Sequence, residues 1–586
     1  MFFIYLDIET DNSEGYNGLD VFNSRIVTLQ MLLPSGKLVI MKYPPSLDTI
    51  KPILENNVIV GHNLKFDSKF LKQLFGINLY HVYDIYIAEI VLSGGVYASK
   101  ENRVGLGLKD LVYRYCGKQI SKEEQTSFEY GAPLTQAQER YVANDLRYLP
   151  KIYKHQQAKI KLLGLENTID IEMKVLPAMV CLELSGIRVN IDIIRELEAK
   201  LTKVANEKQE FLLSALPAPK GKSLNLNSTA QLLSALREKG FELNSTNEDG
   251  LAKYSGNDII DAILEYRSAR KFLTTYIAPA FDKVDTNNKL IRGYINPDNH
   301  RTYANFKQYG TETGRLSCSK NNIKKLPIQS LNLQNQPTEH EWRSVFCAEP
   351  GNKLICADYN QIEPRIMAQE GQDSQMIGAY NSRVDLYKLT ASIIFGIPVD
   401  KVKKESRERV IAKQITLGLC YGMAAPGLIK KLKSESNIEL KKNEAELYTH
   451  KFKQSCLQIT AFMDKVGKSA VKTGMVRNSA GRIRKFNPPT SSKERWGIER
   501  KAKNAVIQSL SADMTKIAMG SLFLRLEPIG VKFVNTVHDE LVFETSAEQA
   551  EYVASIVTEE MIKAGSYYLT DLPCEVSITI SDHWGK

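Results

Sequence analysis

The sequence lacks several features that mark membrane and secreted proteins. It contains no run of about 18 apolar residues, which a membrane-spanning helix requires. Its eight cysteines are scattered without CxxC spacing, so we expect reduced intracellular thiols and neither a zinc site nor a disulfide framework. The N-terminus, MFFIYLDIET, brings acidic residues into strand-like sequence at once, which argues against a signal peptide. Internal repeats and low-complexity tracts are also absent.

The composition is that of a large globular protein with a modest positive charge. Of the 586 residues, 43% are hydrophobic and 25% are charged, which are ordinary values for such proteins. This length suffices for several domains with sizeable cores. The formal net charge of +10 indicates a polyanionic partner only weakly, because many basic proteins bind no nucleic acid.

The order of predicted elements divides the chain into regions of different character. Residues 1–155 alternate strand-like runs such as NVIVGHN with helix-like runs such as SKFLKQLFG, which predicts an α/β domain. Residues 160–300 carry long helical patterns with Lys and Arg on their polar faces, and a solvated helical surface is the simpler explanation of these. We predict mixed structure over 301–400, basic helices over 401–520, and strand, turn, strand, helix, strand over 528–586.

Paired acidic residues end the first predicted strand. In DIET, Asp7 and Glu9 lie two apart and therefore point to one face. Two carboxylates this close repel each other unless a cation lies between them, and a divalent metal prefers such oxygen ligands. Taken alone, such a pair is more often structural. GHNLKFD adds Asp67 near a helix start, and YVAND places Tyr141 and Asp145 on one helical face.

Four acids and a tyrosine in this order resemble the tyrosine-bearing version of the DEDD-type 3′→5′ exonuclease domain. The resemblance covers about 150 residues and implies an RNase H-like domain. In that family the acids hold two metal ions, one generating the hydroxide nucleophile and the other stabilising the leaving oxygen. Tyr141 would orient the attacking water, and Asp84 would have a secondary role. The implied metal-site acids are Asp7, Glu9, Asp67 and Asp145.

A second set of acids interrupts apolar sequence near the C-terminus. FVNTVHDELVF predicts a β-hairpin whose turn carries His538, Asp539 and Glu540. A buried, unpaired carboxylate costs several kcal/mol, so a cation would explain these acids, although an ordinary polar hairpin tip is the commoner case. Upstream, KLICADYNQIEPR contains an apolar strand that ends at Asp358. Acids on two neighbouring strand ends predict a second two-metal site, suited to in-line phosphoryl transfer.

A predicted helix between these strands carries residue types that suit a nucleotide. In RERVIAKQITLGLCYG, Arg409, Lys413, Leu417 and Tyr421 follow one another at four-residue steps. Each step turns the helix by about 400°, so the four side chains form one slowly drifting stripe. The cations would meet phosphates and the ring would meet a base. A solvated basic face with a core tyrosine explains this helix, taken alone, equally well.

Several motifs together resemble those of family A DNA polymerases, the relatives of the large fragment of bacterial DNA polymerase I. DYNQIEPR, RERVIAKQITLGLCYG and VHDE resemble motifs A, B and C of that family. TETGRLS and NLQNQP resemble the pair that precedes motif A, and the exonuclease motifs stand ahead of all of these in the family's order. The resemblance covers nearly the whole chain. It implies an α/β fold in which an RNase H-like exonuclease domain is followed by a right-hand polymerase.

The same resemblance divides the chain into domains. These are the exonuclease domain at 1–155, a connecting helix and thumb at 156–300, the first part of the palm at 301–395, the fingers at 396–510 and the second part of the palm at 511–586. Lys and Arg of the thumb would meet duplex phosphates without regard to sequence. Because the first exonuclease motif begins at residue 7, no 5′ nuclease domain and no removal of RNA primers are expected.

The resemblance also assigns roles in DNA synthesis. Asp358 and Asp539 would hold Mg²⁺, two ions in each active site, for which Mn²⁺ can substitute; Glu540 would be a nearby acid of lesser importance. Lys413 would contact the incoming triphosphate and is a candidate general acid for pyrophosphate. The other implied nucleotide contacts are Arg409, Leu417, Tyr421, Gln361, Tyr387, and Glu363 as a steric gate against ribonucleotides. The implied DNA contacts are Arg315, Asn504 and Gln508 in the minor groove and His538 near the primer terminus.

The sequence departs from the family pattern at a few positions. Leu417 stands where most relatives have Phe or Tyr, so its handling of the sugar is an open point. Tyr387 stands where relatives often have His, which would alter one triphosphate contact. Pro364 replaces the usual Leu, and we expect it to stiffen its turn. The segment CSKNNIKKLPIQSL (318–331) is longer than in the family, and no physical reason for its length is found.

The sequence features leave three candidate functions. A DNA-dependent DNA polymerase with proofreading is favoured, acting on primer–template DNA and deoxynucleoside triphosphates in replication or repair. A 3′→5′ exonuclease whose polymerase part only binds DNA is disfavoured by the intact phosphate-site and metal-site residues. A non-catalytic scaffold has no need of two acid sets. We expect a monomer in a bacterial or virus-infected cytoplasm, with an organelle as the other setting, no membrane association, and a processivity factor or helicase as a further candidate partner.

Overall fold

The computed structural model describes most of the chain, namely residues 1–13, 18–96, 105–284, 286, 288, 290–319, 331–420, 422–436 and 438–585. At 419 and 420 the description covers the backbone alone. Within the described residues no helix is both long enough and apolar enough to cross a membrane.

Several separate sheets are formed by the strands of the described residues. The bounds of these strands follow. They are Phe3–Thr10 (β1), Ile26–Leu32 (β2), Leu38–Lys42 (β3), Val58–Gly61 (β4), Val82–Asp84 (β5), Ile187–Val189 (β6), Lys283–Val284 (β7), Leu290–Ile291 (β8), Arg301–Thr302 (β9), Asn305–Lys307 (β10), Ser317–Ser319 (β11), Phe346–Cys347 (β12), Asn352–Tyr359 (β13), Met475–Arg477 (β14), Ile483–Lys485 (β15), Lys532–Val537 (β16), Glu540–Ser546 (β17) and Val576–Ser581 (β18).

The helices carry most of the remaining described chain. They are Lys51–Glu55 (α1), Leu64–Phe75 (α2), Ile85–Ser93 (α3), Leu108–Cys116 (α4), Gln136–Arg147 (α5), Leu149–Leu163 (α6), Glu166–Ser185 (α7), Ile191–Ala215 (α8), Thr229–Glu238 (α9), Glu248–Leu251 (α10), Asp258–Phe272 (α11), Ile362–Gly371 (α12), Ser374–Asn381 (α13), Leu386–Phe395 (α14), Arg407–Cys420 (α15), Ala425–Ser436 (α16), Lys442–Ser455 (α17), Leu457–Thr473 (α18), Ser492–Leu526 (α19) and Ala550–Ser566 (α20).

The N-terminal sheet has five strands in the order β3-β2-β1-β4-β5. Its middle strand, β1, pairs antiparallel with β2 and parallel with β4. Ile4, Leu6 and Ile8 of β1 are buried in the core. Because side chains alternate along a strand, Asp7 and Glu9 are turned to the opposite face. The α/β domain and the strands predicted for this region are confirmed.

Local sequence explains where the helix that carries Tyr141 and Asp145 begins and ends. Thr135 and Gln138 form a capping box, in which each side chain accepts a hydrogen bond from the other residue's backbone N–H. The helix α5 ends before Tyr148, and α6 follows at once with Pro150 in its first turn. Proline is tolerated there because the first N–H groups of a helix have no partner within it.

The C-terminal sheet is antiparallel, with the strand order β16-β17-β13-β18. Helix α20 packs against β13 and β18. The hairpin of β16 and β17, the helix α20 and the strand β18 follow the order predicted over 528–586, so that prediction is confirmed. The basic segment from 407 is likewise the helix α15, as predicted.

The chain divides into two compact units. The first contains Met1–Gly186, Ala304–Ser319 and Ala348–Asp582, and therefore holds both sheets described above. The second contains Ile187–Tyr303 with two shorter segments, one ending at Cys347 and one beginning at His583. In the second unit, α8 packs against α11, and β12, β6 and β9 form a small sheet.

Four charged side chains in the first unit form a network that is sealed from solvent. Glu172 of α7 accepts hydrogen bonds from Arg482 Nη2 at 2.6 Å and from Lys516 Nζ at 2.5 Å. Asp513, one turn before Lys516 on α19, accepts from Arg482 Nε at 2.9 Å. All four side chains are at most 2% exposed. Two positive and two negative charges therefore compensate each other where water cannot.

Neutral side chains complete this network. Gln308 Nε2 donates to Glu172 Oε2 at 2.6 Å, and Asn478 Nδ2 donates to Asp513 Oδ2 at 2.8 Å. The guanidinium carbon of Arg482 lies 5.0 Å from the centre of the Tyr309 ring, and the face of an aromatic ring attracts a cation. The network therefore fastens together α7, the chain after β10, the β14–β15 hairpin and α19.

We expect Glu172→Gln to lower the free energy of unfolding by about 3–5 kcal/mol, because it leaves Arg482 and Lys516 with an uncompensated buried positive charge. Urea unfolding of the variant and the wild type measures the loss. Glu166→Gln, at the exposed start of the same helix, is the matched control and should change the free energy by less than about 1 kcal/mol. Equal stability of Glu172→Gln and wild type would contradict this account.

Candidate active sites

Three acids meet beside β1 in the N-terminal part of the first unit. Asp7 and Glu9 lie on β1, and Asp145 lies on α5. One carboxylate oxygen of each lies within 4.8 Å of the others. The fourth predicted acid, Asp67 on α2, accepts a hydrogen bond from the backbone N–H of Ile8 at 3.0 Å. Acids that are far apart in sequence are therefore brought to one face of the sheet.

These acids hold protons more tightly than isolated carboxylic acids. Burial, and after it the negative charge of Asp145, raises the pKa of Asp7 to about 7. Burial also raises the pKa values of Glu9 and Asp67 well above their usual range, and the charge of Asp7 adds to both shifts. Carboxylates that repel one another in this way are stabilised by a cation held between them.

Two residues that sequence reasoning missed contact this cluster. Lys122 Nζ donates to Asp145 Oδ2 at 2.5 Å and to the Tyr141 hydroxyl at 2.9 Å. Gln30 Nε2 donates to Asp7 Oδ2 at 2.7 Å, from the position directly opposite on β2. The pairing register of β1 and β2 would have identified Gln30. No local signal distinguishes Lys122 from Lys118, the other lysine of its segment, GKQISKEEQ.

Asp84 is not one of the three acids whose oxygens meet. Its carboxylate accepts hydrogen bonds from the backbone N–H groups of Asn63 and Tyr86, both at 2.9 Å, so it caps α3. Burial raises the pKa of Asp84 to about 6. Capping explains an acid at this position without a further role.

The second pair of predicted acids lies at one end of the C-terminal sheet. Asp358, near the end of β13, is paired with Glu540, the first residue of β17. Asp539 stands in the two-residue turn between β16 and β17, where His538 has a φ of 56°. Two-residue hairpin turns favour such left-handed backbone. Burial raises the pKa of Asp539, and the nearby negative charge of Asp358 contributes to the shift.

An arginine joins Asp539 to the start of α12. Arg315 forms an ion pair with Glu363, and its Nη2 lies 3.7 Å from Asp539 Oδ1. The hydroxyl of Ser511, on α19, donates to the same Asp539 oxygen at 3.1 Å. Two side chains from different parts of the chain therefore contact one carboxylate, and both contacts oppose the rise of its pKa that burial causes.

The helix α15 presents a cation that is already held in place. Arg409 donates from Nε and Nη2 to Asp385 Oδ2, at 3.1 Å and 2.8 Å. The guanidinium carbon of Arg409 lies 5.5 Å from the ring centre of the buried Tyr387. Asp385, which sequence reasoning missed, also caps α14 through the backbone N–H groups of Tyr387 and Lys388. One acid thus fixes both a helix end and an arginine.

The other predicted contact residues that the structure describes are at least partly accessible to solvent. On α15, Lys413 is exposed and Leu417 is half-buried, whereas Tyr421 lies outside the described residues. The Tyr380 hydroxyl donates to Gln361 Oε1 at 3.2 Å, just before α12. The remaining ones are Asn504 and Gln508, half-buried one turn apart on α19, and His538, exposed in the hairpin turn.

Comparison with protein families identifies the chain. The family model described as DNA polymerase family A matches residues 192–586, and the model described as 3'-5' exonuclease matches residues 4–161. The chain belongs to DNA polymerase family A. It carries a 3′→5′ exonuclease domain ahead of the polymerase region, so the predicted family and the predicted exonuclease domain are confirmed.

Curated relatives of this family A polymerase include bacterial enzymes. DNA polymerase I of Aquifex aeolicus (strain VF5) is 29% identical, over 100% of this chain and 96% of that protein. The thermostable DNA polymerase I of Thermus aquaticus is 30% identical, over 79% of this chain and 53% of that protein. The chain thus matches one relative along nearly its whole length and spans about half of the other.

The fold of this family A polymerase is shared with a solved structure. That structure is described as the POL domain of Pol1 from M. smegmatis in complex with DNA primer-template and dNTP. The two chains superpose with a TM-score of 0.78 over 99% of this chain and 95% of that chain, at 23% identity. The predicted fold class, an exonuclease domain followed by a right-hand polymerase, is confirmed.

Two of this polymerase's departures from its family can be located. Tyr387 is the buried ring beside Arg409, described above. Pro364 is buried in the first turn of α12, where a missing N–H breaks no helical hydrogen bond; the expected stiffening stays a prediction. Of the long segment 318–331, residues 320–330 lie outside the described part of the chain.

Both kinds of domain in this polymerase depend on metal ions. The side chains fit that requirement, because carboxylate oxygens are the ligands that hard divalent cations take. Beside β1, three such oxygens lie within 4.8 Å of one another. On the C-terminal sheet, Asp358 and Asp539 are close enough for one charge to affect the other.

In metal-free buffer, we expect Asp7→Asn to stabilise the protein at pH 8 and to do so less at pH 5. The pKa of Asp7 is about 7 in the folded protein, against an ordinary value of 3.8. The folded state therefore loses stability as the pH rises through this window, and the uncharged Asn escapes the loss. Thermal unfolding in EDTA at both pH values measures the effect.

The exposed Asp48 provides the control for this experiment. Asp48→Asn should shift the melting temperature by the same small amount at pH 5 and pH 8. An equal gain in melting temperature from Asp7→Asn at both pH values would contradict the prediction. It would show that ionisation of Asp7 does not destabilise the folded protein.

Proposed function

We propose that this chain extends the 3′ end of a DNA primer along a template and removes mispaired ends by 3′→5′ hydrolysis. The observation that carries the proposal is the presence of two separate acidic centres in one compact unit. One lies on the middle strand of the N-terminal sheet, and the other lies at the end of β13 and the β16–β17 turn.

For synthesis, we assign Mg²⁺ binding to Asp358 and Asp539, with Mn²⁺ able to substitute. Metal ions held there would stabilise the attacking and leaving oxygens of an in-line displacement at the α-phosphate. Glu540, paired across the sheet with Asp358, is a nearby acid of lesser weight. The strand pairing holds the two aspartates on adjacent parts of one rigid sheet, which supports this assignment.

We assign the incoming deoxynucleoside triphosphate to the face of α15. Arg409, held by Asp385, would meet the terminal phosphates, and the exposed Lys413 would reach the transferred phosphate and protonate the leaving pyrophosphate. Glu363, fixed by its ion pair with Arg315, would stand against the sugar and exclude a 2′-hydroxyl. The further nucleotide contacts we propose are Leu417, Tyr421, Gln361 and Tyr387.

We assign the primer and template to the residues beside the hairpin turn. Arg315, Asn504 and Gln508 would donate to minor-groove acceptors, which are alike in all base pairs and therefore test the shape of a pair. His538, exposed in the turn next to Asp539, would lie near the primer terminus. The basic helices of the thumb would contact phosphates of the duplex.

For proofreading, we assign metal binding to the four acids beside β1. Asp7, Glu9 and Asp145 already offer oxygens within reach of one ion, and Asp67 lies on the adjacent helix α2. Tyr141, one turn before Asp145 on α5, would orient the attacking water through its hydroxyl. Mg²⁺ held by these acids would supply the hydroxide nucleophile.

The domain limits and the setting are also proposals. We retain an exonuclease domain at 1–155, a connecting helix and thumb at 156–300, palm segments at 301–395 and 511–586, and fingers at 396–510. A bacterial-type cytoplasm is supported by the bacterial source of the relatives. A monomer acting on primer–template DNA is retained as a further part of the proposal. A processivity factor or helicase is a further proposed partner.

The alternative is a 3′→5′ exonuclease whose polymerase part only binds DNA. Such a protein would gain nothing from a half-buried Asp539 whose raised pKa reflects its partial burial and the charge of Asp358. It would equally have no use for Arg409 held by Asp385 on an accessible helix face. Holding the charged Asp539 near Asp358 costs free energy, and phosphoryl transfer is a use for that cost.

Primer extension tests the proposal directly. A 5′-labelled primer on a longer DNA template is incubated with Mg²⁺, with and without the four deoxynucleoside triphosphates. We expect Asp539→Ala to reduce lengthening at least about a hundredfold and to leave shortening intact, and Asp7→Ala to do the reverse. Asp400→Ala, which removes an exposed carboxylate far along the chain from either set, is the control and should behave as wild type.

Each half of the proposal can fail separately in this assay. A wild-type protein that shortens the primer but never lengthens it would support the exonuclease alternative. A protein that lengthens but never shortens it would show that the acids beside β1 do not form a nuclease site. Loss of both activities in either single variant would contradict two independent centres.

A further inference from the structure

Lys122 contacts both side chains that α5 contributes to the exonuclease site. Its Nζ lies 2.5 Å from Asp145 Oδ2 and 2.9 Å from the Tyr141 hydroxyl, and it lies 4.8 Å from the centre of the Tyr141 ring. The Asp145 side chain is only 5% exposed, and that of Lys122 is 24% exposed. An ion pair this far from solvent is held more tightly than a surface pair.

The positive charge of Lys122 offsets part of the negative charge of the exonuclease site. Four carboxylates lie together beside β1, and they repel one another in a region that water reaches poorly. The positive charge of Lys122 acts on Asp7 and Glu9 as well as on Asp145, opposing the rise of their pKa values that burial causes. Because the lysine side chain is flexible, its ammonium group can lie beside the acids and can also move away from them.

We propose that Lys122 is a positioning residue that serves as the exonuclease site's own counter-cation, and that a divalent metal ion must compete with it for Asp145. This inference rests on the proposed function, because it takes the acids beside β1 as metal ligands. Lys122 holds the cluster together before the metal binds, and it weakens metal affinity by the same contact. It also keeps the Tyr141 hydroxyl engaged, so that metal binding frees the group proposed to orient water.

Lys122→Met separates this role from simple packing, because Met retains an unbranched side chain of similar length without the charge. Removing a positive charge a few ångströms from a bound divalent ion should tighten metal binding about tenfold or more. The same substitution should lower the melting temperature in EDTA, because the acids then lose their counter-charge. Lys122→Arg retains the charge and should leave metal affinity close to that of wild type.

The measurement is a titration of the full-length protein with Mn²⁺, with free Mn²⁺ followed by electron paramagnetic resonance. All proteins carry Asp539→Ala, so that the polymerase acids contribute little to the binding. The expected order of Mn²⁺ affinity is Lys122→Met above both Lys122→Arg and the parent. Lys118→Met, which removes an exposed lysine of the same segment, is the matched control and should bind as the parent does. Circular dichroism checks that each variant is folded.

An affinity of Lys122→Met that is equal to or weaker than that of the parent would overturn the inference. So would a Lys122→Arg variant that binds Mn²⁺ as tightly as Lys122→Met. Adding Asp7→Ala to the parent distinguishes this failure from that of the proposed function. If Asp7→Ala removes a Mn²⁺ site while Lys122→Met leaves the Mn²⁺ affinity unchanged, the acids form a metal site but Lys122 does not compete with the metal. If Asp7→Ala removes no site, both fall together.

Discussion

A buried group of two positive and two negative charges fastens helix α7 to the β14–β15 hairpin and to helix α19. The four charged side chains have lost their contact with water and are paired with one another instead; they are Glu172, Arg482, Asp513 and Lys516. A shift of α7, the β14–β15 hairpin or α19 would therefore leave a buried charge without its partner. Helix α19 also presents Ser511 to Asp539, only two residues before Asp513. The network that anchors α19 therefore also helps to fix the position of Asp539, an acid of the proposed polymerase centre.

The two centres use the same physical design with different counter-charges. In each, an acid lies on an inner strand of a sheet, so backbone pairing on both sides determines where its carboxylate lies. Beside β1 the neighbouring cation is Lys122, a flexible point charge. At the β16–β17 turn, the cation beside Asp539 is Arg315, a planar group that is also paired with Glu363. The proposed nuclease centre thus has a flexible counter-charge, whereas the counter-charge of the proposed polymerase centre is held by a second ion pair.

Sequence patterns predicted the parts of both centres that depend on local geometry. The spacing of Asp7 and Glu9 placed them on one strand face, and the polar interruption at His538 predicted the hairpin turn. The missed residues depend on contacts between distant segments. The contact of Gln30 with Asp7 follows only from the strand register. Asp385 is identified by its ion pair with Arg409, 24 residues further along the chain. Lys122 is identified only because its loop folds onto α5. Glu172 and its partners, more than 300 residues apart, carry no local pattern at all.

Strand β13 pairs residue by residue with β17 on one side and with β18 on the other. Because side chains alternate along a strand, one residue inserted between Leu354 and Asp358 would turn the aspartate to the opposite face of the sheet. Two inserted residues would restore the face but carry the carboxylate about 7 Å beyond Glu540. Descendants of this sequence are therefore expected to vary in length at surface turns such as that at Gly351, while β13 keeps its eight residues.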